Sequence, residues 1–600
     1  MPGIHGFILK QKEIFEIHKK QLSEAITWNK TDQSVHIEDI EHSVFLTANR
    51  GSGSPICQVK ISPNTEALMY GELYPVCGAD QSALLKDLVI KYLSSDESVF
   101  SRTDGAFLIV ILEQKPFKIH IINDIFGAFP LNYFHNDNSI VFSSQIYPIV
   151  KTIKNLKISE IGLTEYLTLG FPLNGRTVID GIKRLWPGSI LVISENTIRE
   201  TQYFEPHFHA KKWKTRQLRK EIVDRFENAF SIRYKNDENL ITALSGGFDT
   251  RVLWAYLLNK QIKCAAYSHG SDESTDLNIA RSISANYDIP IIDFTLEKDI
   301  FKQFNTHLYT LINMGDGYIQ PENFFMLPAY KILADKNPVM MDGVGGQLYR
   351  RQLKRRYSNL FHGKKSLTHF LYHQSLHLGF AQKFLNASFL ERYLSNVYQD
   401  IEDYLHKYRS IGANEDLLDT FHMHQSAGLK FSTDLLVQSY YVNVRQPFYD
   451  RSLFELNRLV PPALRKRHIF HRTLVDHYFS QLKKFPLETK GLSIPYHGFR
   501  LLRTIPIITE ALIKRAGANT IAFKKNPIYN INALCTESLN ASLHHEISDY
   551  DYRDNSFWNQ RIFEDLRMQN IKVACTDKLQ LLNTILMLKK LNTVDSDFFR

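Results

Sequence analysis

Cysteine is scarce in this chain. Five are spread over 600 residues, at Cys57, Cys77, Cys264, Cys535 and Cys575. Their odd number and scatter fit a reducing cytoplasm and offer no zinc-like spacing. Long apolar runs are also missing. No stretch approaches the ~20 apolar residues that cross a bilayer, so no membrane role is expected. The opening "MPGIHGFILKQKEIF" lacks a basic n-region and a cleavage pattern, and secretion is not expected. Internal repeats, low-complexity tracts and nucleic-acid motifs are absent. The net charge of +9 is modest for this length, and no nucleic-acid partner is expected. What remains is a cytoplasmic chain too long for one ordinary core, hence two or three domains.

The first 200 residues read as β-rich. "AFLIVILE" (106–113), "FKIHIIND" (117–124), "SIVFSSQ" (139–145) and "SILVISENTI" (189–198) are short apolar or alternating runs bounded by turn residues, which suggests stacked antiparallel sheets. "DIFGAFPLNYFHNDNS" supplies Gly, Pro and Asn breakers, and "EPHFHAKKWKTRQ" (205–217) reads as a polar, basic linker. From Leu218 the period changes. Leu218, Ile222, Phe226, Ala229 and Phe230 predict an amphipathic helix. Strands at 240–244, 263–270 and 290–296 then alternate with helices to about 259 and over 274–287, which predicts a parallel sheet wound by crossovers. "NPVMMDGVGG" (337–346) reads as another buried strand ending in a glycine turn, and beyond 350 the chain is mostly helical.

The chemistry begins at "NLITALSGGFDTRVLWAYLLNK" (239–260), where a strand pattern meets Ser245-Gly246-Gly247 and a helical pattern follows. Glycines without Cβ let the backbone pass close to a ligand, and the helix start offers free N–H groups to an anion. Ser245 and Thr250 can add hydroxyls, and Asp249 is placed to hold a Mg²⁺ bridging phosphates. The string is neither GxxxxGK[ST] nor GxGxxG, and taken alone it also suits a plain tight turn. A second cluster, "YRRQLKRRY" (349–357), carries five basic residues in nine positions. It reads either as a solvated helix face or as a grip on phosphate or an acidic partner.

"ALSGGFDTR" resembles the PP-loop, SGGxD[ST], of the ATP pyrophosphatase superfamily, which splits ATP to AMP and pyrophosphate. Further matches run in order along the chain. "RTDGAFLIVI", "NDIFGAFPLNYF", "FSSQI", "YGELY" and "LWPGSILVIS" resemble the glutaminase domain of asparagine synthetases. "MDGVGGQLYRR" (341–351), "VRQPFYD" (444–450) and "PLETKGLSIP" (486–495) resemble that family's second glycine turn, its R-x-PF-x-D segment and its late lysine loop. The chain thus resembles a full-length member of the asparagine synthetase family. The resemblance implies an α+β Ntn-hydrolase-like sandwich over 1–204, an α/β PP-loop domain over 218–500, and a helical extension over 501–600. It implies ATP and Mg²⁺ as cofactors. Leu244, Ser245, Gly246, Gly247, Asp249 and Thr250, with Gly343, Gly345 and Gly346, are the implied ATP and pyrophosphate contacts, and Lys490 the implied catalytic residue.

Some family positions are altered. Where glutamine-using members place a nucleophilic cysteine after the initiator Met, Pro2 stands here, and the "HRGPD" segment survives only as "NRGSG" (49–53), leaving Arg50 and Gly51. Glutamine hydrolysis is therefore not expected, which places the chain nearer to the β-lactam synthetase and lasso-peptide cyclase branches. In the second glycine turn the acid between the glycines is Val344, and the following metal-binding aspartate is Gln347. Besides Asp249, Gln347 and Asp342 are the available metal ligands. His5, Asp276, Arg445 and Asp450 are expected to be structural, and His468, His471 and His477 to decorate a helix. The expected function is an AMP-forming ligase that joins a carboxylate, on a small molecule or a peptide, to a substrate amine or ammonia. The alternatives are a nucleotide-binding pseudoenzyme and a glutamine-hydrolysing asparagine synthase.

Overall fold

The computed structural model describes residues 1–29, 32–74, 80–96, 98–195, 197–235, 239–295, 304–319, 321–336, 338–350, 367–376, 378–410, 414–487, 536–550, 557–568 and 573–592. The N-terminal part holds two six-stranded antiparallel sheets. In space the first runs Lys183–Arg184, Asn132–His135, Ser139–Ser143, Gly3–Leu9, Val44–Arg50 and Gln33–Asp39. The second runs Ile198–Gln202, Ser189–Ser194, Phe117–Asn123, Gly105–Gln114, Thr65–Leu73 and Ile56–Ser62. The continuous apolar run at 106–113 follows from this stacking. Leu108, Val110 and Leu112 face the inter-sheet core, while Phe107, Ile109 and Ile111 pack with Leu85, Leu88 and Val89 of the helix Gln81–Leu93. A strand covered on both faces has no polar side to alternate. Helices Phe15–Ile26 and Ile146–Thr152 cover the first sheet, which completes an α/β/β/α sandwich.

Two local expectations give way to pairing. The breaker-rich stretch contains the strand Asn132–His135, held by its register with Ser139–Ser143. The run at 189–198 splits into a hairpin, Ser189–Ser194 with Ile198–Gln202. The expected linker is docked rather than free. Phe208 is buried, its N–H donates to Thr420 Oγ1 at 3.0 Å, and the N–H groups of His209 and Lys211 bond the Arg458 and Leu459 carbonyls.

The third sheet is fully parallel, in the order Ile291–Thr295, Ala265–Gly270, Leu240–Ala243, Val339–Met341 and Asn443–Arg445. The last of these strands, Asn443–Arg445, lies in a region whose residue pattern predicts helix. Building outward from 240–243 in both directions makes a switch point beside that strand, and crevices there are where open α/β sheets bind ligands. The two glycine turns leave the C-terminal ends of Leu240–Ala243 and Val339–Met341, the two neighbours at that point. Among the described residues beyond it helices dominate; Thr536–Asp549 and Cys575–Asn592 pack together, the latter near both Ile146–Thr152 and Phe304–Gly315. Among the described residues no helix is long and apolar enough to cross a membrane.

The sandwich and the parallel domain join through backbone. The Gly53 and Ser54 N–H groups donate to the Tyr440 and Ser439 carbonyls at 3.0 and 2.7 Å. A Cβ on Gly53 would lie 1.9 Å from the Ser439 carbonyl oxygen, so Gly53→Ala must open this seam. The expected cost is about 1–3 kcal/mol, read as a lower unfolding midpoint. Gly379→Ala, with nothing within 4 Å of the new methyl, is the control and should be neutral or slightly stabilising.

Candidate functional site

Strand Leu240–Ala243 ends at Leu244, whose N–H bonds the Tyr267 carbonyl at 2.8 Å. The chain then turns through Ser245-Gly246 into the helix Phe248–Lys260, capped at Gly247. Ser245 Oγ accepts the Gly247 N–H at 3.1 Å and pairs with Thr250 Oγ1 at 2.9 Å, so the two hydroxyls brace the turn. Asp276 reaches across from the first turn of the helix Thr275–Asn286 and accepts the Gly246 N–H. Ser274, capping that helix through the Leu277 N–H, fixes where Asp276 points. Asp276, expected to be structural, orders the loop as well as starting its own helix, a role its spacing in sequence does not show.

The second glycine turn packs directly on Asp249. A Cβ on Gly346 would meet Asp249 Cγ at 2.5 Å, and one on Gly343 would meet the Asp249 backbone at 3.2 Å. Gly345 sits at φ +93°, a left-handed conformation that disfavours a side chain. Tertiary structure thus brings Asp249 and Thr250 against Gly343, and Asp249 against Gly346, from distant parts of the sequence.

His471 completes this contact. Its Nε2 bonds Asp249 Oδ1 at 2.7 Å, and the ring is fully buried against Phe448 and Phe248. This corrects the expectation of a surface histidine. His471, Leu474, Val475 and Tyr478 are all buried at helical spacing in Ile469–Tyr478, so the apolar stripe itself carried the signal. Burial pushes the Asp249 carboxyl up, but the His471 hydrogen bond, with Arg350 and His468 nearby, outweighs it and leaves the group below the ordinary aspartate range. His468 stacks on Phe248, and burial holds it down to about 3. His477 is exposed, as expected.

Arg251 was missed altogether. It is buried, and its guanidinium donates to the carbonyls of Gly246 (3.2 Å), Phe485 (3.0 Å) and Pro486 (2.8 Å). One side chain therefore ties the backbone of the Ser245–Thr250 turn to the segment Phe485–Pro486. Lys490 itself lies outside the described residues, as does the basic run from Arg351 to Tyr357.

The residues around Pro2 are buried. His5 is fully buried, pairs with Ser143 Oγ at 2.8 Å and is held down to about 3 by burial, in keeping with a structural role. The Pro2 carbonyl accepts Gln145 Nε2 at 3.1 Å. Cys57 lies in the other apolar layer, beneath the helix Gln81–Leu93 and next to Ser82. Tyr70 hydroxyl meets Ser439 Oγ at 2.7 Å, and Asp104 Oδ1 accepts the Arg451 N–H at 2.9 Å. Glu72 takes two bonds from Arg445, at 2.7 and 3.0 Å. Burial would raise the Glu72 carboxyl, and the Arg445 bonds and charge instead hold it below the usual range. Arg445 and Asp450 are structural, as expected, but not as a pair with each other. Asp450 caps Arg451–Arg458 and binds Arg233 at 3.1 Å.

Residues 86–204 match the glutamine amidotransferase domain model, and residues 221–484 match asparagine synthase. The chain belongs to the asparagine synthetase family. Asparagine synthetase [glutamine-hydrolyzing] 1 of Bacillus subtilis (strain 168) is 21% identical over 201 residues, 33% of this chain and 32% of that protein. The chain thus spans about a third of the length of the curated relative it matches. Among solved structures, it is similar to the allosteric regulatory enzyme of purine biosynthesis (10% identity, 40% of this chain and 60% of that one, TM-score 0.24). It is also similar to glutamine phosphoribosylpyrophosphate amidotransferase from B. subtilis complexed with ADP and GMP (11%, 58% and 77%, TM-score 0.23).

The family resemblance implies a divalent metal beside the phosphate loop, and the donors here fit one poorly. Asp249 Oδ1 is engaged by His471, and Oδ2 faces Arg350 at 3.6 Å. Asp342 is buried, with Oδ1 accepting the Val344 N–H (3.0 Å) and Oδ2 accepting Gln438 Nε2 (2.8 Å). Burial raises its carboxyl, and the Asp249 charge adds to that. Gln347 Oε1 accepts the Gly345 N–H at 3.1 Å, so it braces its own turn. Among the described residues no cluster of three or more His, Cys, Asp or Glu side chains is arranged to hold a metal ion.

Proposed function

We propose that this chain is an ATP-dependent, AMP-forming ligase that activates a carboxylate and couples it to an amine of the substrate or to ammonia, without hydrolysing glutamine. The observation that carries the reading is the loop Ser245–Thr250 seated at the switch point with the second glycine turn packed on Asp249. A helix start with small residues and two hydroxyls suits the pyrophosphate end of ATP. In the first step a carboxylate oxygen of the acid attacks the α-phosphorus and pyrophosphate leaves. In the second the amine attacks the acyl carbon, AMP leaves, and the nitrogen gives up its proton. Lys490 is the group proposed to steady the negative charge that develops in both steps. The acid is a small molecule or a peptide.

Two features support the absence of glutamine hydrolysis. Pro2 has no nucleophilic side chain, and Glu72 and Asp104 are taken up by Arg445 and Arg451 of the other domain. The test incubates the full chain with ATP, a panel of carboxylic acids and amines, and glutamine. Pyrophosphate and AMP should form with at least one acid, at a rate glutamine does not raise, and no glutamate should appear. Glutamate release would sink the second part of the reading. Failure of the folded chain to release pyrophosphate with any acid would sink the first. In that case, ATP binding without turnover would favour the second reading, a nucleotide-binding protein, to which the engagement of Asp342 by Val344 and Gln438, and of Gln347 by the Gly345 N–H, lends weight.

A further inference from the structure

The poor fit to a metal leaves the phosphate charge to be met another way, and one side chain is placed for it. Arg350 opens the basic stretch that follows the second glycine turn. Its backbone is fixed from behind: Tyr349 is fully buried with its hydroxyl on the Phe448 carbonyl at 2.7 Å, and the Leu348 carbonyl accepts Asn457 Nδ2 at 2.9 Å. The Arg350 guanidinium lies 3.6 Å from Asp249 Oδ2 and is 38% exposed. That separation is an ion-pair distance and too long for a hydrogen bond, so Arg350 is held near the loop without being locked onto it. A guanidinium presents a planar fork of donors that matches phosphate oxygens and needs no carboxylate cage.

Around the loop, the turn positions that would supply acids carry Val344 and Gln347. The acids that remain are engaged by protein donors: Asp249 by His471, Asp276 by the Gly246 N–H, and Asp342 by the Val344 N–H and Gln438. We infer that the phosphates of a nucleoside triphosphate at Ser245–Thr250 are neutralised by Arg350 rather than by a divalent cation held on protein carboxylates. Arg350 then supplies the positive charge that a metal would otherwise supply, in keeping with the neutral side chains at Val344 and Gln347. The inference rests on the nucleotide reading above.

The experiment is calorimetric titration of ATP into the full chain, once with Mg²⁺ and once with EDTA, for the wild type and for Arg350→Gln. The wild-type dissociation constant should agree within about threefold between the two conditions, and Arg350→Gln should weaken binding in EDTA by roughly tenfold or more, the loss of one charge-assisted phosphate contact. A tenfold or greater loss of wild-type affinity in EDTA would overturn the inference while leaving the nucleotide reading intact. Wild-type affinity in Arg350→Gln would overturn it too. Absence of ATP binding by the wild type in both conditions would remove the nucleotide reading, and this inference with it. The wild-type comparison does not depend on how well the variant folds.

Discussion

Arg445→Ala should destabilise the chain by up to about 3–5 kcal/mol, because it leaves the buried Glu72 carboxylate with only the Lys235 ammonium, 3.5 Å away, to meet its charge. The two side chains are only 5% and 7% exposed, and they meet through two hydrogen bonds across the join between sandwich and parallel domain. Removing both charges at once, with Glu72→Gln and Arg445→Met, should recover most of that loss, since no unpaired ion is left. Denaturant unfolding followed by tryptophan fluorescence measures both. The pH dependence has a definite sign. Glu72 is depressed in the folded chain, so its contribution is complete above the ordinary glutamate value of about 4.3 and is lost as the pH falls through the lower folded value. That part of the acid limb should shrink in Arg445→Ala, where Lys235 is the remaining cation beside Glu72. A cost under about 1 kcal/mol would mean the seam is not closed as described.

Gly346→Ala should weaken ATP binding, and any AMP formation, by roughly a hundredfold, the scale of displacing a site group by about 1 Å. The new methyl would sit 2.5 Å from Asp249 Cγ and 2.6 Å from Oδ1. The carboxylate cannot simply swing aside, because His471 holds Oδ1 from a buried ring. Gly343→Ala, whose nearest neighbours begin at 3.2 Å, should be far milder. Calorimetric titration of ATP into the two variants checks the order. Wild-type affinity in Gly346→Ala would show that the Asp249 carboxylate is not part of the nucleotide site.

Much of this was legible in the residues. The strand-to-helix switch at Leu244–Phe248, the alternation of strands and helices from 240 to 296, and the stacked antiparallel sheets all follow from local period and turn chemistry. Functional expectation was weakest where a polar side chain acts over distance. Asp276, Arg251 and His471 each sit within a helix, and each reaches a partner that sequence spacing cannot reveal. The strand Asn443–Arg445 was hidden because three residues are too few for a period, and only the free edge at Val339–Met341 gives it a place.

The amino-acid sequence by itself determined the two-part architecture, the strand-to-helix glycine turn Ser245–Thr250 and the residues Pro2, Val344 and Gln347, because these depend on residue type and local pattern. Tertiary structure alone decided that Asp249 lies against Gly346 and His471, that Asp342 is engaged by the Val344 N–H and Gln438, that Gln347 braces its own turn, and that Arg350 stands beside the loop. The physical reason is that the chemistry of a charged group is set by its neighbours and its burial. Those neighbours come from strands and helices a hundred or more residues apart, which meet only when the parallel sheet has formed.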